Sequence, residues 1–149
     1  MLILDMQLDK FTDFGLRILM TLAAHAPARL STSAIAEIFH LSEHHLAKVA
    51  SELARGGFVI SERGRNGGLV LARPAPDINV GSVVRYLQKD KPVVSCFGTD
   101  TSCLILPACG LRAPLAAARE AFFATLDGCT LADITGPKTR LMAFMDTGA

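Results

Sequence analysis

The sequence predicts a mainly α-helical fold with one small β-hairpin, and three observations carry that expectation. Apolar residues recur at helical spacing in three closely spaced runs, over 12–25, 32–39 and 43–55. Two short strand-like runs follow, F-V-I-S at 58–61 and L-V-L-A at 69–72, around the turn-rich E-R-G-R-N-G-G. A long helical run then occupies about 111–126.

Residues 12–25 place Leu16, Leu19, Met20 and Ala23 on one face behind Thr12 or Asp13 as N-cap, which predicts a core-facing first helix closed near Pro27. Thr32 is the expected cap of a short second helix whose apolar face is Ile35, Ala36, Ile38 and Phe39. Ser42 caps a third helix reaching about Arg55, with Leu46, Val49, Ala50 and Leu53 as its buried stripe and Gly56-Gly57 as its stop. In the hairpin, Asn66, Gly67 and Gly68 are expected at positive φ, and Arg63 and Arg65 project charge from the tip. Helices joined by so short a turn, with a basic-tipped hairpin behind them, make a winged helix-turn-helix. In that architecture the third helix enters the major groove of a DNA duplex, and the two-stranded wing reaches phosphates or the neighbouring minor groove.

The groove-facing candidates are Glu43, His44, His45 and Lys48, and Ser42 can donate to a phosphate as well as cap. Adjacent histidines on a helix point about 100° apart, so His44 and His45 do not share one metal ion. The net charge of +1 is no nucleic-acid footprint, and residues 40–73 reach only +2 from five basic and three acidic side chains. The expectation of DNA binding therefore rests on local geometry.

Beyond Pro74 and Pro76, Val80, Val83, Val84 and Leu87 mark a short helix. In the long helix, Leu111, Leu115, Ala118, Phe122 and Thr125 or Leu126 form a narrow seam suited to a homodimer, since winged helices reading a palindrome work in two-fold pairs. Thr130 and Asp133 form a T-x-x-D cap for a last short helix over 131–134, and the chain beyond Gly136-Pro137 is weakly patterned. The expected division is a DNA-binding winged helix over 1–76, then a loop and dimerisation helix over 77–149.

Cys96, Cys103 and Cys109 are three of the four cysteines, and they share one loop, C-F-G-T-D-T-S-C-L-I-L-P-A-C. The polar run Gly98 to Ser102 argues against deep packing, and thiolates on such a loop suit a thiophilic metal or an iron-sulfur cluster. Inert thiols, a disulfide and a zinc site are the alternatives. The gaps of six and five residues exceed the usual spacing of paired zinc ligands. Cys129 is expected to be no ligand, because the long helix would carry it about 20–25 Å from the loop. The opening residues lack the pattern of a secretion signal, which predicts a cytoplasmic, reducing location where thiols serve metals or redox chemistry. No apolar run approaches the roughly 18–20 residues of a membrane span. No His/Asp constellation accompanies a cysteine nucleophile, so an enzyme is not expected.

On L-D-K-F-T-D-F-G-L-R at 8–17, R-G-R-N-G-G at 63–68, the spaced cysteines and T-L-A-D-I at 130–134, the chain resembles the NsrR branch of the winged-helix iron-sulfur repressors, relatives of IscR and RirA. The likeness covers nearly the whole length. It implies a homodimeric repressor that binds a double-stranded operator while a 4Fe-4S cluster, or alternatively a 2Fe-2S form, is intact, with nitric oxide as the signal. By matching motif it implies Cys96, Cys103 and Cys109 as cluster ligands and Asp13, supplied across the dimer, as the fourth. Arg17, one turn later, would pair with Asp13 or neutralise the cluster environment. Arg112 stands where IscR-like proteins carry a histidine, and RirA-like chains tend to lack the aspartate. Both features favour nitric oxide over the alternative of an iron-status regulator. Asp13 reads equally well as a helix cap, which competes for the same oxygens. A zinc- or thiol-based redox regulator is the remaining alternative.

Overall fold

The computed structural model describes residues 8–146 and is organised around α1 (Lys10–His25). That helix buries Thr12, Gly15, Ile18, Leu19, Thr21, Leu22, Ala23 and Ala24, because other helices and the wing pack on several of its sides. Leu16 and Met20, expected at the centre of a single stripe, are only half-buried. The cap also differs from expectation: Asp9, not Thr12 or Asp13, accepts the Thr12 N–H at 3.3 Å. Thr12 is instead fully buried, and its hydroxyl has no hydrogen-bond partner among the described residues. The helix starts at Lys10, ahead of the expected start, and its first turns pack Phe11 and Phe14 against the core.

Helix α2 (Thr32–Phe39) is capped by Ser31, whose hydroxyl accepts from Ala34 N–H at 3.1 Å, rather than by the neighbouring Thr32. It ends on His40 in the left-handed conformation, φ 55°. Helix α3 (Glu43–Arg55) follows at once, with Ser42 accepting from His45 N–H at 3.3 Å and Leu46, Val49, Ala50 and Leu53 buried, as expected. Strands β1 (Val59–Glu62) and β2 (Gly68–Leu71) pair antiparallel from Val59 opposite Leu71 to Glu62 opposite Gly68. Positive φ falls on Gly64 and Gly68, not on Asn66 or Gly67. At Gly68 a Cβ would lie 2.8 Å from the Leu30 carbonyl oxygen, because Leu30 and Leu69 exchange backbone hydrogen bonds of 2.7 and 3.2 Å. The wing is thus anchored to the segment before α2.

The chain continues through α4 (Val80–Leu87), α5 (Arg112–Asp127), α6 (Leu131–Thr135) and α7 (Lys138–Asp146). Helix α6 carries the expected reciprocal cap: Asp133 N–H donates to Thr130 Oγ1 at 3.1 Å, and Thr130 N–H to Asp133 Oδ2 at 2.9 Å. Helix α7 lies in the segment with weak patterning and packs on α1 without a fully buried residue. The main core, from Ile18 and Leu22 through Leu46 and Leu53 to Ile78, Val83 and Leu131, is continuous across residue 76.

A smaller core of Val80, Val84 and Phe123 holds α5 on α4. Gly81 permits that approach, since a Cβ there would stand 2.6 Å from the Asp127 backbone nitrogen. Arg85 then reaches Asp127 at 2.7 Å and Glu120 at 2.6 Å, and its hydrogen bonds hold both carboxyls below their ordinary range. Gly81→Ala should therefore cost about 1–3 kcal/mol through overpacking. The neighbouring change Gly128→Ala, whose nearest contact is an ordinary 3.5 Å, should stay within about 0.5 kcal/mol in denaturant unfolding.

Candidate nucleic-acid interface and thiol loop

Helix α3 turns its buried stripe to the core and leaves Glu43, His44, His45 and Lys48 exposed. Those four sit in its first two turns, where a reading helix contacts base edges. Ser42 uses its hydroxyl to cap the helix. The His45 ring rests edge-on against Phe14, with centroids 5.2 Å apart at 89°, and more loosely against Phe11 at 6.3 Å. This contact ties the first turn of α3 to α1. The i, i+3 spacing of the two phenylalanines is the sequence signal that points to it.

At the wing, Arg63, Arg65 and Asn66 are exposed, and neither arginine makes an ion pair among the described residues. The acidic residue of the wing, Glu62, is neutralised by Arg29, which forks onto it with Nη2 to Oε1 at 2.9 Å and a second contact from Nη1. Arg29 Nη1 also reaches the Asn66 carbonyl at 3.5 Å. Sequence reasoning missed Arg29, because 33 residues separate it from Glu62 and no local pattern links them.

At the N-terminal end of α1, Asp13 and Arg17 form a two-pronged pair, Nη2 to Oδ2 at 2.9 Å and Nε to Oδ1 at 3.3 Å. Asp13 keeps 39% of its side-chain surface exposed. The Arg17 guanidinium lies 5.7 Å from the Phe14 ring and 5.6 Å from that of Phe39, so it also bridges α1 to the end of α2.

The cysteine loop runs between α4 and α5 with short 3-10 turns at Ser95–Phe97 and Leu106–Ala108. All its thiols are free, Cys103 exposed and Cys96 and Cys109 half-buried. Arg112 donates to the Cys96 carbonyl at 3.4 Å and stacks on Phe97 at 5.6 Å, fastening the loop's two ends together. Among the described residues, no three His, Cys, Asp or Glu side chains converge closely enough to hold a metal. The three thiols are soft donors on an accessible loop, the chemistry that suits a thiophilic metal. Cys129 is half-buried against the Val80, Val84 and Phe123 core. Leu111, the N-cap of α5, and Phe122 within it, both on the expected dimer seam, are 59% and 43% exposed, and the residue that α5 turns inward is Phe123.

A helix-turn-helix with an exposed third helix and a cationic two-stranded wing defines the winged-helix class of DNA-binding proteins. The family model of Rrf2, an iron-dependent transcriptional regulator, matches residues 8–137, and the chain belongs to that family. It is 41% identical over 142 residues to the HTH-type transcriptional regulator NsrR of Bacillus subtilis, and 39% identical to NsrR of Oceanobacillus iheyensis. Each alignment covers 94% of this chain and 97% of the relative. Among solved structures it is similar to CymR, the global cysteine regulator of B. subtilis, with a TM-score of 0.63 and 29% identity over 87% of this chain and 96% of that one. It is also similar to T. potens IscR, with a TM-score of 0.66 and 27% identity over 87% and 86%. These relatives are regulators of transcription rather than enzymes. No helix among the described residues is long and apolar enough to cross a membrane.

The thiol exposures order their reactivity, because access as well as thiolate character governs alkylation. In metal-free reduced protein, Cys103 should alkylate several-fold faster than Cys129, as read by mass spectrometry of quenched time points.

Proposed function

We propose that this protein is a transcriptional repressor whose grip on a two-fold DNA operator is set by an iron-sulfur cluster responding to nitric oxide. The single observation that carries the DNA half of the reading is the presentation of two arginines without an ion-pair partner among the described residues, Arg63 and Arg65, on the wing beside a third helix with an exposed first turn. Glu43, His44, His45 and Lys48 would line the groove, with Ser42 and Asn66 near phosphates. Residues 1–76 would then be the reading head, and 77–149 the sensing and pairing half. Exposed Leu111, at the N-cap of α5, and exposed Phe122 within it support a homodimer, since a second copy would cover them, and we place that dimer in the cytoplasm.

The relatives named NsrR support the cluster half of the reading. Cys96, Cys103 and Cys109 would hold a 4Fe-4S cluster, or a 2Fe-2S form, with Asp13 of a second copy as the fourth ligand. When bound, such a group supplies iron that nitric oxide attacks. The carboxylate of Asp13, a harder donor than a thiolate, would be the weakest of the four attachments. To serve as a ligand it exchanges its pairing with Arg17, and a half-exposed pair of this kind is worth only about 0–1 kcal/mol. Arg17, whose guanidinium lies over Phe14 and Phe39, would be left to offset the negative charge of such a group.

Two variants test the reading in anaerobically purified protein. Cys103→Ala should remain a folded dimer yet lose iron, sulfide and tight operator binding. Wild-type protein that lacks iron and sulfide but still grips its promoter tightly overturns cluster control, and zinc in their place points to a different regulator. Arg65→Ala should weaken binding across all sequences and reduce the slope of log affinity against log salt by about 1. An unchanged slope removes Arg65 from phosphate contact.

A further inference from the structure

Lys91 stands just beyond α4, at the entrance to the cysteine loop, and 82 residues separate it from its partner Asp9. Its ammonium donates to Asp9 Oδ2 and lies 4.9 Å from the centroid of the Phe11 ring. Asp9 is the cap of α1; burial by itself would raise its carboxyl, but the hydrogen bond and charge of Lys91 with the backbone N–H groups of Thr12 and Phe11 hold it below the ordinary range. Phe11 and Phe14 are in turn the rings against which His45 rests, in the first turn of α3. The same helix end carries Asp13 and Arg17. The loop entrance, the candidate fourth ligand and the support of the reading helix thus converge on one turn of α1.

We propose that Lys91 is a positioning residue: by binding Asp9 and covering Phe11 it pins the cysteine-loop entrance to the start of α1, so that the state of the loop reaches α3 through Phe11, Phe14 and His45. This rests on the cluster-controlled repressor reading above. Lys91 contacts neither thiols nor DNA in that scheme. Its pairing is partly exposed, 40% on the lysine and 34% on the aspartate, so it modulates the coupling rather than creating it.

The test uses full-length protein, cluster-loaded and cluster-free, with a duplex that the loaded wild-type protein has selected from random-sequence DNA. The quantity read is the ratio of the two affinities. Lys91→Met keeps the side-chain stem and loses the charge. It should lower that ratio about three- to fivefold, the range open to a partly exposed ion pair, while cluster absorbance is unchanged. Lys91→Arg should restore the ratio, which a lysine serving only to stabilise the fold would not require. In cluster-free protein, Lys91→Met should also speed amide exchange in residues 88–94 and in the first turn of α3. A wild-type ratio near one defeats the repressor reading, and the exchange data then decide on Lys91 by themselves. A clear wild-type ratio that Lys91→Met leaves unaltered, or amide exchange that it leaves unaltered, overturns the proposal.

Discussion

Burial of α1 on several sides is the constraint on which the rest of the structure depends. Ile18, Leu19 and Leu22 are at most 1% exposed, and they touch elements drawn from both halves of the chain. Truncating a side chain so placed costs about 2–5 kcal/mol, whereas a surface ion pair contributes about 0–1 kcal/mol. Packing around this helix therefore sets the shape, and the ion pairs at its N-terminal end can be exchanged without endangering it. A helix held so firmly along its length can afford an end whose partners change.

Electrostatics in this protein is a matter of placement rather than total. With a net charge of +1 the chain has no long-range attraction for DNA as a whole. The local arrangement compensates, because Arg29 pairs with Glu62 on the wing and leaves Arg63 and Arg65 as cations without an ion pair among the described residues. Arg85 plays the equivalent part at the contact of α4 with α5, neutralising Glu120 and Asp127 where the two helices meet.

The parts of the fold legible in the sequence were those decided locally. Helix α3 shows its stripe, its Ser42 cap and its glycine stop within 15 residues, and the Thr130 and Asp133 cap is reciprocal and self-contained. Where two or three capping residues compete, as at Asp9, Thr12 and Asp13 or at Ser31 and Thr32, the choice depends on which register lets the first turn pack, and local pattern cannot supply that. Helix α5 has apolar residues on two faces: the expected dimer seam through Phe122 faces outward, and the inward contact, Phe123, was not singled out in the sequence. Helix α7 has no clear period and owes its place to α1. For the candidate site, the thiol donors and wing arginines were visible as residue types at telling positions. The partners that organise them, Arg29 across 33 residues and Lys91 across 82, were not, because only folding brings them close.

The backbone bridge between Leu30 and Leu69 has a consequence for how a target duplex is met. With its second strand hydrogen-bonded to the lead-in of α2, and Arg29 of the same lead-in paired with Glu62, the base of the hairpin is joined to the helical pair rather than hanging from it by its ends alone. A wing and reading helix joined in this way favour a fixed spacing between them. Part of the accommodation to a duplex would then fall to the duplex, through groove width and bend, so base steps that no side chain touches would still discriminate one site from another.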